Sequence, residues 1–134
     1  MKYTLSSLLS KLTEVEKNII VLYEDRLGKV SDPTLKTFLN KALEDAKKRL
    51  DDIEWIKGFI VIEMTLEPML GPDLLEYVEK MREFIEHDNY KEVEKARIEA
   101  YKKAIEMVEN ISPEAADLLR DFIRRSEDLL SILG

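Results

Sequence analysis

The chain contains no cysteine. This absence excludes disulfides, zinc–thiolate sites, iron–sulfur clusters and thiol nucleophiles, and it fits a reducing, cytoplasmic environment. Glutamine is also absent, whereas glutamate, lysine and arginine are abundant, which is a composition seen in heat-adapted proteins. The first ten residues have no sustained apolar core, so no cleavable targeting segment is predicted.

An excess of positive charge is lacking too. The net charge is −7 and the isoelectric point is near 4.9. Nucleic acids and anionic membranes attract a basic surface, so neither is expected as a partner. The most apolar stretch, residues 59–66, is interrupted by Glu63 and is too short to cross a bilayer. The sequence also has no glycine-rich phosphate loop and no Ser-His-Asp set.

What is present is a helical pattern within one predicted domain, residues 1–134. Apolar residues recur at three- and four-residue steps and predict helices over about 4–27, 33–57, 74–87, 90–109 and 113–133. Asp32 and Ser112, each followed by proline, are predicted helix caps. Gly28 is expected to end the first helix in a left-handed conformation. Residues 59–66 are apolar all round, and because no partner strand is evident, a continued or kinked helix is predicted; the sequence leaves the path of residues 58–71 open.

A ten-residue pattern occurs twice, at residues 14–23 and 92–101, with a constant offset of 78 residues. The helices that follow also correspond, at an offset of 80 residues, so that Leu39 matches Leu119. The chain therefore divides into hairpin A (4–57), a connector with its own short helix (58–89) and hairpin B (90–133). Docking the apolar faces of the two hairpins predicts an all-α fold, an antiparallel four-helix bundle with one long crossover.

The repeat places an acidic residue seven positions before a tyrosine on the first helix of each hairpin. This arrangement, with its long crossover, resembles the ferritin-like superfamily, most closely its rubrerythrin-type members. The resemblance implies a di-metal centre held by one glutamate from each first helix and a Glu-x-x-His pair from each second helix. Glu16 and Glu94 stand at the positions of the first-helix ligands.

The second helices depart from that motif. The positions of the second glutamate hold Ala46 and Ser126, and the positions of the histidine hold Arg49 and Leu129. The complete ligand set that the resemblance implies is therefore absent, and the direct case for iron chemistry is lost with it.

Two interpretations of Glu16 and Glu94 stay open. Both residues share a helix stripe with apolar residues, so each needs a cation, a proton or a hydrogen-bond partner. In the first interpretation one or both glutamates lie at the edge of the bundle, or a basic side chain replaces the metal; the candidates are Arg49, Lys48, Arg124 and Arg125. In the second, a carboxylate-only site binds metal, with Asp45, Glu127 and Asp128 as additional ligands.

The other notable side chains favour structural roles. His87, the only histidine, lies at a predicted helix end, where a cation is favourable without any metal or catalytic role. Tyr23 and Tyr101 are expected to pack at the edge of the core with hydrogen-bonded hydroxyls. Trp55 and the apolar residues after it indicate a subunit interface.

These observations predict a cytoplasmic ferritin-like bundle of unknown biochemical role that acts through assembly or partner binding. It is expected to lack the usual di-iron centre and any cofactor, and to form a homodimer or higher homo-oligomer. The alternative is a metal-dependent oxidase, peroxidase or iron-handling protein with an atypical carboxylate-rich site for iron or manganese. A third possibility is a binding module whose pocket lies between the hairpins. No catalytic residue is predicted, and the sequence favours a non-enzymatic protein while leaving the question open.

Overall fold

Five helices account for most of the residues that the structure describes. The computed structural model describes residues 3–58, 65–66 and 74–134. The helices are α1 (Leu5–Leu27), α2 (Pro33–Lys57), α3 (Leu74–Glu86), α4 (Tyr90–Val108) and α5 (Pro113–Leu133). The all-α prediction is confirmed, and each helix end lies within one or two residues of its predicted position. Within the described ranges, no helix combines the length and the apolar character that a membrane crossing requires.

The predicted caps of α2 and α5 are present. The side chain of Asp32 accepts hydrogen bonds from the backbone N–H groups of Thr34 (2.8 Å) and Leu35 (3.1 Å). The hydroxyl of Ser112 accepts one from the N–H of Ala115 at 3.2 Å. These bonds satisfy amide groups that the first helical turn leaves without a partner. Asn89, at the start of α4, makes no such side-chain bond.

The prediction for Gly28 is wrong, because this residue does not adopt a positive φ. The turn after α1 is closed instead by the backbone carbonyl of Arg26, which accepts from the N–H groups of Lys29 (2.9 Å) and Val30 (3.0 Å). Among the described non-glycine residues, only Asp88 has a positive φ, 52°. The left-handed residue therefore lies in the turn between α3 and α4.

A short antiparallel strand pair links the residues just before α1 to two residues in the segment between α2 and α3. Strand β1 (Tyr3–Thr4) pairs antiparallel with β2 (Thr65–Leu66), with Tyr3 opposite Leu66. The prediction of a continued helix is thus wrong for Thr65 and Leu66, since the amino-terminal backbone supplies a partner that periodicity cannot reveal. The rest of the predicted helix, residues 59–64, lies outside the described residues, and so do residues 67–71, whose path the sequence leaves open.

Helix packing joins the two hairpins along both sides. Helix α1 packs against α2, α4 packs against α5, and α2 packs against α5. Helix α3 contacts both α1 and α4 and so bridges the first helices of the two hairpins. Its Met81 and Ile85 are buried, and the hydroxyl of Tyr77 donates to the carbonyl of Val93 at 3.3 Å. The space enclosed by α1, α2, α4 and α5 holds the candidate site.

A buried ion-pair network as the candidate functional site

Among the residues that the structure describes, five polar or charged side chains lie in the core with no exposed surface, and helices α1, α2, α4 and α5 each contribute at least one. They are Glu16, Arg49, Glu94, Arg97 and Ser126. Removing an ionised group from water costs several kcal/mol unless the group is paired and hydrogen-bonded. Their mutual contacts therefore decide what this site is.

The guanidinium of Arg97 bridges the two glutamates. Its Nη1 donates to both carboxylate oxygens of Glu94, at 3.0 and 3.2 Å, and its Nη2 donates to Oε1 of Glu16. Burial opposes the charge on Arg97, but the two carboxylates outweigh this effect and raise its pKa above the ordinary value. The inward placement predicted for Glu16 and Glu94 is confirmed, and a single cation holds them together.

Arg49 supplies the second positive charge. Its Nη1 lies 3.7 Å from Oε1 of Glu16, so the interaction predicted between these two residues is present. Its Nε donates to Asp45 at 2.6 Å, and its Nη2 donates to the hydroxyl of Ser126 at 3.0 Å. The guanidinium also lies over the ring of Phe122, 5.2 Å from the centroid, a distance typical of cation–π contacts.

Ser126 connects the two halves of the network. Its hydroxyl accepts from Arg49 and donates to Oε1 of Glu94 at 2.9 Å. A hydroxyl can do both at once, because it has one hydrogen and two lone pairs. The network therefore continues from Glu94 to Arg97 and Glu16, and returns through Arg49 and Ser126.

The two repeat-related tyrosines each bind the glutamate of the other hairpin. The hydroxyl of Tyr23 donates to Oε2 of Glu94 at 3.0 Å, and that of Tyr101 donates to Oε1 of Glu16 at 3.2 Å. Burial, followed by the charge of the bound glutamate, raises the pKa of both phenols above the ordinary value. Both hydroxyls are thus held in the protonated form that donates. The predicted hydrogen bonds are confirmed, but the predicted position at the edge of the core is wrong, because both tyrosines are fully buried.

A second set of ion pairs extends the network towards the surface between α2 and α5. Asp45 accepts from Arg49 and also from Nη1 of Arg125 at 3.4 Å. Arg125 in turn donates to Asp121 at 2.7 Å and to Asp52 at 3.2 Å. Asp45 and Arg125 are equivalent residues of the two repeats, so the ion pair between them joins matching positions of the two hairpins.

The residues at this site do not fit the di-metal centre that the resemblance implies. Glu16 and Glu94 are joined by Arg97, Asp45 is bound by two arginines, and Glu127 and Asp128 are exposed on α5. Across the described ranges, no group of three or more acidic or histidine side chains is placed to hold a metal ion. A divalent cation at the glutamates would also meet the repulsion of two guanidinium groups.

The sequence interpretation missed Arg97. One signal was its position, three residues after Glu94 and therefore on the same helix face. A stronger signal was the repeat, since Arg97 lies 78 residues after Ile19, a fully buried core residue. Arg49 likewise matches Leu129, which is 2% exposed. Each buried arginine thus occupies a position at which the other hairpin has a buried apolar residue.

Three other candidate cations do not pair with the glutamates. Lys48 and Arg124 are exposed, and Arg124 binds Asp121 instead. Within the described part of the chain, the acidic partners of Arg125 are all aspartates. His87, the remaining basic candidate, is exposed in the turn after α3. Its backbone N–H donates to the backbone carbonyl of Phe84 at 3.2 Å.

Comparison with protein-family models, with curated proteins and with solved structures gives no match. The assignment of a function therefore rests on the residues of the chain itself.

Proposed function

We propose that this chain is a ferritin-like four-helix bundle with a structural ion-pair network in place of a metal centre, and that it acts by binding a partner. The ferritin-like architecture is supported by the packing of two repeat-related hairpins through α2 and α5. It is also supported by the equivalent positions of Glu16 and Glu94, which are both buried and both bind Arg97. Helix α3 then belongs to the crossover between the hairpins.

The observation that carries this proposal is the position of Arg97. Its guanidinium lies between the two carboxylates and donates hydrogen bonds to both. Two glutamates and two arginines balance in charge, with Glu16 and Arg49 in hairpin A and Glu94 and Arg97 in hairpin B. A charge-balanced, hydrogen-bonded set of this kind needs no bound cation to offset its burial.

The accessibility of the network also favours a non-enzymatic role. None of its five fully buried members has a surface that a substrate could reach. General acid–base or nucleophilic chemistry requires direct contact between the catalytic group and the substrate, or contact through one water molecule. We therefore assign the network to stabilising the fold, and we assign partner binding to the outer surface.

The test is the metal content of protein purified without a metal-binding tag and incubated anaerobically with Fe(II) or Mn(II). We expect only substoichiometric metal, with no difference between the wild type and a Glu16→Ala, Glu94→Ala double variant. A matched control carries Glu24→Ala and Glu106→Ala, which change two exposed glutamates. Stoichiometric metal that is lost only in the first double variant would overturn the proposal and favour the metal-dependent oxidase, peroxidase or iron-handling protein.

A further inference from the structure

Three buried polar atoms of the ion-pair network have no hydrogen-bond partner among the residues that the structure describes. They are Oε2 of Glu16, Nη1 of Arg49 and Nε of Arg97. All three side chains are fully buried, so bulk water does not reach these atoms. A buried donor or acceptor without a partner is costly, most of all on a charged group, and folded proteins satisfy nearly all such groups. Each of the three atoms therefore needs a partner that the described side chains do not supply.

The two unpaired donors lie beside the carboxylate that carries the unpaired acceptor. Nη1 of Arg49 is 3.7 Å from Oε1 of Glu16, which is beyond hydrogen-bonding distance. Nε of Arg97 shares one edge of the planar guanidinium with Nη2, which donates to the same Oε1. The N–H of Nε therefore points to the side on which Glu16 lies. Two donors and one acceptor without partners thus surround one carboxylate.

We propose that a single buried water molecule binds at this point and joins Glu16, Arg49 and Arg97. This inference rests on the proposed function, because it takes the ion-pair network to be the resident structure of the core. The water oxygen accepts from Nη1 of Arg49 and from Nε of Arg97, and one water hydrogen is donated to Oε2 of Glu16. Buried waters typically make about three hydrogen bonds to polar groups that otherwise lack partners. One molecule therefore satisfies all three atoms.

The pattern of donors and acceptor selects water over an ion. A guanidinium has only donors, so its nitrogen atoms cannot bind a metal cation. Chloride accepts from both arginines, but it is repelled by the charge of Glu16 and has no hydrogen for Oε2. Water donates and accepts at once. A polar contact longer than about 3.5 Å, such as that between Arg49 and Glu16, is also where a bridging water is to be sought.

The position of this water gives it a role in joining the hairpins. Glu16 lies on α1, Arg49 on α2 and Arg97 on α4, so the molecule contacts three helices. The contact between Arg49 and Glu16, too long for a direct hydrogen bond, then passes through the water. The ring of hydrogen bonds from Glu94 through Arg97, Glu16, Arg49 and Ser126 is thereby closed.

The direct test is a high-resolution crystal structure of the wild-type protein grown with a metal chelator. We expect a peak of electron density about 2.7 to 3.2 Å from each of the three unpaired atoms. The inference is overturned if no peak is found there and an arginine donates directly to Oε2 of Glu16. It is also overturned if another side chain of the chain lies between these atoms.

A second test counts internal waters in solution by magnetic relaxation dispersion of water oxygen-17. The double variant Glu16→Gln with Arg49→Met leaves the net charge unchanged and removes the carboxylate and one donor of the site. The matched control, Glu54→Gln with Lys57→Met, removes an ion pair at the surface of α2. We expect the dispersion amplitude to fall by one long-lived water in the first variant and to stay unchanged in the control. Equal amplitudes in the wild type and the first variant would contradict the inference.

Failure of this inference is distinguishable from failure of the proposed function. A structure with Arg97 between the two glutamates but without the water would end the inference and leave the ion-pair network in place. Stoichiometric metal at Glu16 and Glu94 would instead end the proposed function, and the water site would be lost with it. The crystal structure uses the unchanged protein, so its result stands even if the double variant fails to fold.

Discussion

Replacing Arg97 with methionine tests the buried network at its most connected residue. The side chain has no exposed surface and donates to three carboxylate oxygens, two on Glu94 and one on Glu16. Methionine fills most of the same volume but carries no charge. The variant therefore leaves two buried carboxylates with one guanidinium, that of Arg49, at 3.7 Å from Glu16.

Leaving a buried charge without its partner typically costs about 3 to 5 kcal/mol in the free energy of unfolding. This is a large part of the roughly 5 to 15 kcal/mol that stabilises an ordinary domain. Adding Glu16→Gln to Arg97→Met restores the balance of one acid and one base, and the amide still offers Tyr101 an acceptor. The double variant is therefore expected to be more stable than Arg97→Met alone by about 1 kcal/mol or more.

The assay is urea unfolding followed by far-ultraviolet circular dichroism, with Arg120→Met as the matched control. The side chain of Arg120 is 52% exposed and pairs with Asp117 and Glu109, so its loss should cost no more than about 1 kcal/mol. Equal destabilisation by Arg97→Met and Arg120→Met would show that the buried pairs of Arg97 stabilise the fold no more than an exposed ion pair does. A double variant less stable than Arg97→Met would refute the coupling between Glu16 and Arg97.

Three further predictions concern single side chains. Ser126→Ala removes the hydroxyl that connects two buried charges and should cost about 1 to 3 kcal/mol in urea unfolding. Asp32→Ala should cost about 1 kcal/mol through loss of the α2 cap, whereas Asn89→Ala should cost less because Asn89 makes no cap bond; equal costs would contradict this. Hydrogen bonding, led by the Tyr90 hydroxyl, lowers the pKa of Asp88 below 3.8, so the carboxylate adds stability that is fully present above that value. The difference in unfolding free energy between wild type and Asp88→Asn should thus be constant down to about pH 5 and shrink as the pH falls further, whereas a difference that grows in acid would contradict it.

Much of the fold could be predicted from the sequence because its signals are local. Helix periodicity and the capping residues Asp32 and Ser112 defined the helices, and the 78-residue offset identified the two hairpins. The pairing of strand Tyr3–Thr4 with strand Thr65–Leu66 could not be predicted. A two-residue pair has no periodicity of its own, and its partner is remote in the chain.

The candidate site was predictable only in part. The inward placement of Glu16 and Glu94 followed from their apolar neighbours, and the cost of burying a carboxylate required a partner. The identity of the main partner did not follow, because an arginine on a helix stripe can extend its charged end to water. Two signals indicate that Arg97 itself points inward: its position three residues after Glu94 and, more strongly, its buried counterpart in the other repeat, Ile19.

A crystal structure of the protein grown in the presence of Mn(II), with anomalous data collected for manganese, would distinguish an ion-pair network from a metal centre directly. We expect the guanidinium of Arg97 between Glu16 and Glu94, within hydrogen-bonding distance of both carboxylates, and no anomalous peak at the two glutamates. A manganese peak coordinated by both glutamates, with Arg97 turned away from them, would contradict this expectation.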